Sequence, residues 1–257
     1  MTGWTPSEMM VVTAARALSD GDVCFVGIGA PSEACNLARL THAPNLVLIY
    51  ESGTIGTSPE FLPLSIGDGE LAETALTTVS VPEMFRYWLQ GGRITTGFLG
   101  AAQMDRFGNI NTTVIGDYHS PKVRLPGGGG APEIATSCDR VYIIVRHTPR
   151  ALVEQVDFST SLGFGTDGKG RQRLGVTTQG PTLVVTDLCT MRPDAETNEL
   201  TVDALHPGVS RQDVAEATGW DVRFAAEVGE TEAPTSVELE TLRDLHARTR
   251  AAHRGAP

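Results

Sequence analysis

Short apolar runs alternate with amphipathic stretches along most of the chain. Val23–Ile28 and Asn45–Tyr50 read as strands, as do Ile94–Leu99, Asn109–Ile115, Val141–Val145, Thr182–Leu188 and Leu200–Val202. Helical spacing separates them. Thr5-Pro6 opens a helix to about Leu18, and Pro31–Leu40 reads as a second. Ser80-Val81-Pro82-Glu83 combines a hydroxyl N-cap, a first-turn proline and a glutamate three places on, which predicts a helix from Val81 to about Gln90. Ser210 starts another helix. Thr235 and Glu238 cap the last one, whose Leu239, Leu242 and Leu245 form a stripe.

The strands are apolar throughout instead of alternating, so both faces of their sheet are covered. Interleaved with helices, they predict an α/β fold with a mostly parallel sheet flanked by helices. The stretch 91–130 is denser in glycine and strand-like, which adds a small β subregion. There is no internal repeat or linker, and residues 1–257 read as one domain. Gly165–Gly180, with TDGKGRQR at its centre, reads as a mobile surface loop.

Composition narrows the function. A chain of 257 residues, 40% hydrophobic, can bury a core without disulfides or metals. Its net charge of −11 argues against a nucleic-acid footprint, while leaving room for an anionic small ligand in a local pocket. No apolar run is long enough for a membrane span. The N-terminal MTGWTPSEMM lacks a basic segment followed by an apolar one, so a cytoplasmic location is expected. Cys24, Cys35, Cys138 and Cys189 form no C-x-x-C pair and read as buried, reduced thiols. The histidines lack metal-ligand spacing, so no metal site is expected, and His119, His147 and His206 receive no role from sequence; His206, in ALHPGV, reads as structural.

Three stretches can carry chemistry. In FVGIGAPSEACNLARL a strand ends at Gly27-Ile28-Gly29 and a helix follows, a turn able to face an anion but lacking a full dinucleotide fingerprint. In LVLIYESGTIGTSP the apolar run from Leu46 ends in Glu51, and ligands of open α/β sheets bind beyond such strand ends. Gly53 and Gly56 let backbone approach closely there; a solvated loop glutamate is the plainer alternative. In RLPGGGGAPEIA the glycines 127–130 expose N–H groups able to face an oxyanion or an extended ligand, or else form a floppy loop. Gln103, in FLGAAQMDRFGNINTT, is a neutral donor of the same kind.

These pieces, with LPLSIGDGELAETA, FRYWLQGGR and ALHPGVSRQDVAEATGW, occur in one order in one family. The sequence resembles the second subunit of class I CoA-transferases over nearly its whole length. It is most similar to the two-subunit 3-oxoadipate type, with the glutaconate type more distant. The resemblance implies that Glu51 is the nucleophile of a ping-pong transfer of CoA from succinyl-CoA to 3-oxoadipate through a glutamyl-CoA thioester, as in the β-ketoadipate route of aromatic degradation. It implies that Gln103, Gly129, Gly130 and Gly53 contact the oxyanion or CoA. Coenzyme A is then substrate and covalent intermediate, and no cofactor is bound permanently.

Both acids carry a distal carboxylate, for which Arg93, Arg106 and Arg124 are the candidate cations, with Arg86 and Lys122 also at hand. The G-x-G-G-F loop of the family's first subunit does not occur here, so a separate α subunit is implied, as a heterodimer or heterotetramer. Much of the family reads Ser-Glu-Asn-Gly where this chain has Tyr50-Glu51-Ser52-Gly53, which removes any role of that asparagine. Other transferases of short acyl-CoAs, an acyl-CoA hydrolase and a ligand-sensing module remain alternatives. Ring-opening relatives lack the glutamate, so Glu51 counts against that branch.

Overall fold

The structure, a computed structural model, describes residues 3–254; positions 1, 2 and 255–257 lie outside the description. The chain begins with α1 (Pro6–Arg16), β1 (Val23–Phe25), α2 (Ala30–Leu40), β2 (Val47–Ile49) and β3 (Thr54–Ile55). It continues through α3 (Gly69–Glu73), β4 (Thr77–Thr78), α4 (Val81–Glu83), which runs into a π-helical segment (Met84–Leu89), and β5 (Thr96–Leu99). Short strands follow: β6 (Gln103–Met104), β7 (Ile110–Asn111), β8 (Val114–Gly116) and β9 (Pro121–Arg124). The remainder is α5 (Ala131–Ser137), β10 (Arg140–Ile144), α6 (Gly170–Arg173), β11 (Gly180–Val185), β12 (Cys189–Pro193), β13 (Leu200–Leu205), α7 (Arg211–Ala217), β14 (Arg223–Glu230) and α8 (Ser236–His253). Two compact units result: one takes in the residues up to Phe98 and those from Ala233, the other Leu99–Glu232.

In the first unit β5, β1 and β2 are parallel, and β3 and β4 extend the sheet in antiparallel fashion. Cys24, Phe25, Leu48 and Ile49 are essentially inaccessible, as strands covered on both faces must be. Helices α1, α2 and α8 pack pairwise. The start of α1 is set by a capping box: Thr5 Oγ1 accepts from the Glu8 N–H, and the Glu8 carboxylate takes the Thr5 N–H. Glu8 also meets Arg243 of α8 at 2.7 Å, while Arg16 grips Glu238 through two contacts of 2.7 Å, so two ion pairs join the first and last helices around Leu239, Leu242 and Leu245.

The second unit has β10 parallel to β11, β11, β12 and β13 antiparallel in turn, and β13 parallel to β14. Its β6–β7 and β8–β9 pairs are small antiparallel sheets, within the subregion expected at 91–130. The four cysteines are buried and form no disulfide among the described residues, and no helix among those residues is long and apolar enough to cross a membrane.

Four expectations change. The strand over Asn109–Ile115 breaks in two because the Asn111 side chain accepts from the Thr113 and Val114 N–H groups and bends the chain. The strand from Thr182 ends at Val185, where Thr186 Oγ1 accepts from the Leu188 and Cys189 N–H groups and the chain turns back into an unforeseen strand, β12. The segment read as a mobile loop at 165–180 holds α6, and Arg171 is buried with its guanidinium donating to the Ala135 and Thr178 carbonyls; burial pushes its pKa down to about 10. The helix from Val81 changes to π geometry at Met84, shown by Gln90 N–H donating to the Phe85 carbonyl.

Two buried histidines tie β10, β11 and β13 ends together in the second unit. His147 lies between the Thr186 and Thr218 hydroxyls at 3.0 and 2.9 Å, and His206 between the Thr231 hydroxyl and the Thr186 carbonyl at 2.7 and 2.9 Å. Burial holds both below the ordinary imidazole range, His147 down to about 4. The unfolded chain therefore takes up a proton near pH 6.5 that folded His147 refuses until about pH 4. Stability is whole above pH 6.5 and falls as pH drops toward 4, by on the order of 3 kcal/mol for His147. Glu8, held at about 2 by Arg243, adds its own loss only below the normal carboxylate range. Urea unfolding followed from pH 7 to 5 is expected to show a falling midpoint, with a shallower slope in His147→Gln.

Candidate active site

The first unit builds its candidate site at the carboxyl ends of β1 and β2. These strands run in register, Phe25 opposite Ile49, so the Gly27–Gly29 turn and Tyr50-Glu51 leave the same edge of the sheet. Tyr50 is fully buried, with its hydroxyl 2.9 Å from Ser32 Oγ in the first turn of α2, where Asn36 Nδ2 donates to the Ser32 carbonyl. Burial raises the phenol's pKa, so it stays protonated as a structural anchor. Directly beyond this anchor the chain reverses. The Gly53 N–H donates to the Tyr50 carbonyl at 3.0 Å, and the Tyr50 N–H to the Thr54 carbonyl at 3.1 Å. Glu51 and Ser52 are the two central residues of this turn between β2 and β3.

Gly53 follows with φ of 101°, the positive-φ position that closes such a hairpin. A methyl group there would lie 2.0 Å from the Val79 carbonyl oxygen, which the chain needs close because the Val79 N–H donates to the Gly53 carbonyl. The glycine is thus required by packing inside the protein. Glu51 is partly buried, and its carboxylate has no hydrogen-bond or ion-pair partner among the described residues. Ser52 Oγ is buried and unpartnered beside it, a feature that sequence pattern does not flag. Next to the turn's neighbour α2, Glu33 and His246 meet at 2.9 Å on a cavity of about 320 Å³ that Arg250 also lines; the glutamate raises the histidine's pKa.

The second unit gathers the other candidates around β6 and β7. Gln103 opens β6 and is 7% exposed; its Oε1 accepts from Asn111 Nδ2 at 2.7 Å. Beside Asn111, Thr112 holds the glycine loop twice: its hydroxyl donates to the Gly127 carbonyl, and its carbonyl accepts the Gly127 N–H, both at 2.8 Å. Gly129 takes φ of 49°, and the N–H groups of Gly129 and Gly130 have no partner among the described residues. One segment, Asn111-Thr112, therefore carries both the amide and the glycine loop.

The arginines are dispersed. Arg106 is paired with Glu154 at 2.9 Å, Arg124 lies 5.1 Å from the Tyr118 ring centre and donates to the Tyr118 carbonyl, and Arg93 in the first unit donates to the Tyr87 carbonyl. Below Arg106, Asp105 is buried and raised in pKa by that burial, although Asn109 Nδ2 and two backbone N–H groups hold its carboxylate. It lines a cavity of about 370 Å³. No group of metal-ligating side chains occurs among the described residues.

Comparison with known proteins adds to this geometry. The family model described as Coenzyme A transferase matches residues 7–217. The chain is 63% identical over 253 residues to a subunit of 3-oxoadipate CoA-transferase from Pseudomonas knackmussii, covering 98% of this chain and 97% of that protein. Its fold matches the crystal structure of glutaconate coenzyme A-transferase from Acidaminococcus fermentans with a TM-score of 0.88 at 35% identity, covering 95% of each chain. The crystal structure of the decarboxylase AibA/AibB matches with a TM-score of 0.81 at 26% identity, covering 98% of this chain and 99% of that one. A decarboxylase shares the fold, so the fold by itself does not decide the chemistry.

Gly53→Ala tests the turn. It forces a side chain into positive φ, costing roughly 1–2 kcal/mol, and adds the collision with Val79. A lowered melting temperature is the expected outcome, since the hairpin leaves no room for the added methyl group.

Proposed function

The chain belongs to the coenzyme A transferase family, and on that premise we propose that it transfers CoA from succinyl-CoA to 3-oxoadipate through a glutamyl-CoA thioester on Glu51. It is a CoA-transferase that works with a separate partner subunit. The observation that carries the acceptor is the 63% identity, sustained over 98% of the chain, to a 3-oxoadipate CoA-transferase subunit. The observation that supports the nucleophile is the placement of an unpartnered carboxylate at a strand-end turn whose backbone cannot relax.

In the first half-reaction a Glu51 oxygen attacks the thioester carbonyl carbon of succinyl-CoA. The C–S bond breaks, giving a mixed anhydride and the CoA thiolate. The thiolate then attacks the glutamyl carbonyl and expels succinate, leaving Glu51 joined to CoA as a thioester. A carboxylate of 3-oxoadipate reverses the sequence and departs as 3-oxoadipyl-CoA. The first step is uphill because a carboxylate displaces a more basic thiolate. Binding of the remote parts of CoA offsets this, as do donors aimed at the developing oxyanion, for which Gln103 and the N–H groups of Gly129 and Gly130 are our assignment.

A glutamate needs no general base to become a nucleophile, which agrees with the absence of a neighbouring histidine or lysine on the turn itself. For the distal carboxylate, Arg106 is the weakest of the three candidate cations because Glu154 already neutralises it. Arg124, exposed on β9, and Arg93 donate to backbone carbonyls instead and form no ion pair among the described residues. Their uncompensated charge supports them as the cations that select dicarboxylic acids.

Glu51→Ala in complex with the partner subunit is expected to lower turnover by roughly four orders of magnitude or more while the complex still assembles. In the unaltered enzyme, initial rates at several fixed 3-oxoadipate concentrations should give parallel double-reciprocal lines. Converging lines would point to direct transfer in a ternary complex and sink the covalent reading.

A further inference from the structure

We propose that the cavity between α2, α8 and the segment 62–64 is a binding site for a small organic carboxylate with an aliphatic chain: Arg250 takes the carboxylate, and Leu62, Pro63 and Leu64 cover the chain. The whole site lies inside the first unit and does not depend on the reading of Glu51.

The cavity holds about 320 Å³, at the low end of the roughly 300–1,000 Å³ in which small-molecule sites fall. Its apolar wall is fixed in advance. The Leu62 N–H donates to Thr249 Oγ1 at 2.9 Å, and that hydroxyl passes its own hydrogen to the Leu245 carbonyl at 2.7 Å. His253 Nε2 meets the Leu62 carbonyl at 3.2 Å, and Arg248 donates to the Glu60 carbonyl. At the other end the Leu64 N–H donates to the carboxylate of Asp68, the N-cap of α3, at 3.0 Å. Backbone groups thus pin the segment to α8 and to the start of α3, which leaves its side chains to line the space. Leu64 does so while 63% exposed, an apolar surface that a ligand's chain takes out of water.

Charge selects the head of the ligand. Three ionisable side chains line the cavity: Glu33, His246 and Arg250. Glu33 is already spent, because its carboxylate meets His246 Nε2 at 2.9 Å. That bond holds the histidine's pKa above its ordinary value, against the opposing charge of Arg250. The pair cancels, and the charge of Arg250 is left over. The residues one turn away from Arg250 on either side are His246 and Arg254, so its own helix offers no acid at that spacing. It forms no ion pair among the described residues. A cationic pocket on a chain of net charge −11 concentrates anions locally. A guanidinium grips carboxylate and phosphate alike through two parallel N–H bonds. The apolar wall beside it makes the choice, favouring a carboxylate with a hydrocarbon chain over inorganic phosphate.

The test is a ligand-observed NMR titration of the complex with its partner subunit, using hexanoate, acetate and inorganic phosphate as probes. Hexanoate is expected to bind saturably and at least tenfold more tightly than acetate or phosphate, since each methylene buried on the wall adds roughly fourfold. Arg250→Gln should weaken hexanoate about tenfold, and Leu64→Ser should narrow the gap between hexanoate and acetate about threefold. Both side chains are exposed, so both variants should keep the wild-type melting temperature. Phosphate binding as tightly as hexanoate would make this a bare anion site and overturns the proposal, as does the absence of saturation with any probe. Hexanoate binding that ignores Arg250→Gln but changes in Glu51→Ala would place the probe at the proposed nucleophile and overturns it equally.

Discussion

The hydrogen bond from the Gly53 N–H to the Tyr50 carbonyl closes the turn on which the proposed chemistry stands. It sits between two constraints that leave the turn little freedom. On one side Tyr50 is buried to its hydroxyl and held by Ser32. On the other, the Val79 backbone occupies the space where any residue but glycine would put a side chain. Glu51 is projected from the corner by its neighbours and is itself bonded to nothing in the described chain. The backbone of the proposed nucleophile is thus set in advance, while its side chain keeps the freedom to reach a carbonyl carbon.

The second unit applies the same device to donors instead of a nucleophile. Asn111 interrupts a strand and in doing so spends both of its N–H bonds and its oxygen on fixed partners. The neighbouring Thr112 holds the start of the glycine loop. Polar side chains that would weaken a regular strand thus define two sets of N–H groups whose hydrogens are directed but unused. Networks of this kind are rigid, and under the proposed function the hydrogen left over is the one a substrate can claim.

What is legible in the chain is local. The capping pairs at Ser80–Glu83 and Thr235–Glu238 announce their helices because donor and acceptor lie three residues apart. Glu51 stands out because an apolar strand ends in it and glycine follows. Illegible features depend on side chains that bond backbone out of turn or across long separations. Asn111 and Thr186 break strands that their apolar neighbours predict, and buried Arg171 orders a segment whose composition reads as loose. Gln103 and Asp157 lie 54 residues apart, so nothing in the pattern around either names the other. Gly53 reads in the sequence as room for a ligand; its requirement lies in Val79, 26 positions on, which only the folded hairpin reveals.

The most direct measurement of the central claim is the intact mass of this chain, in complex with its partner subunit, after incubation with succinyl-CoA and no acceptor. A gain equal to CoA less one water on this subunit, absent from Glu51→Ala and discharged by adding 3-oxoadipate, is the predicted result. A folded complex that consumes succinyl-CoA without any such adduct, or that carries it equally in Glu51→Ala, would contradict the account.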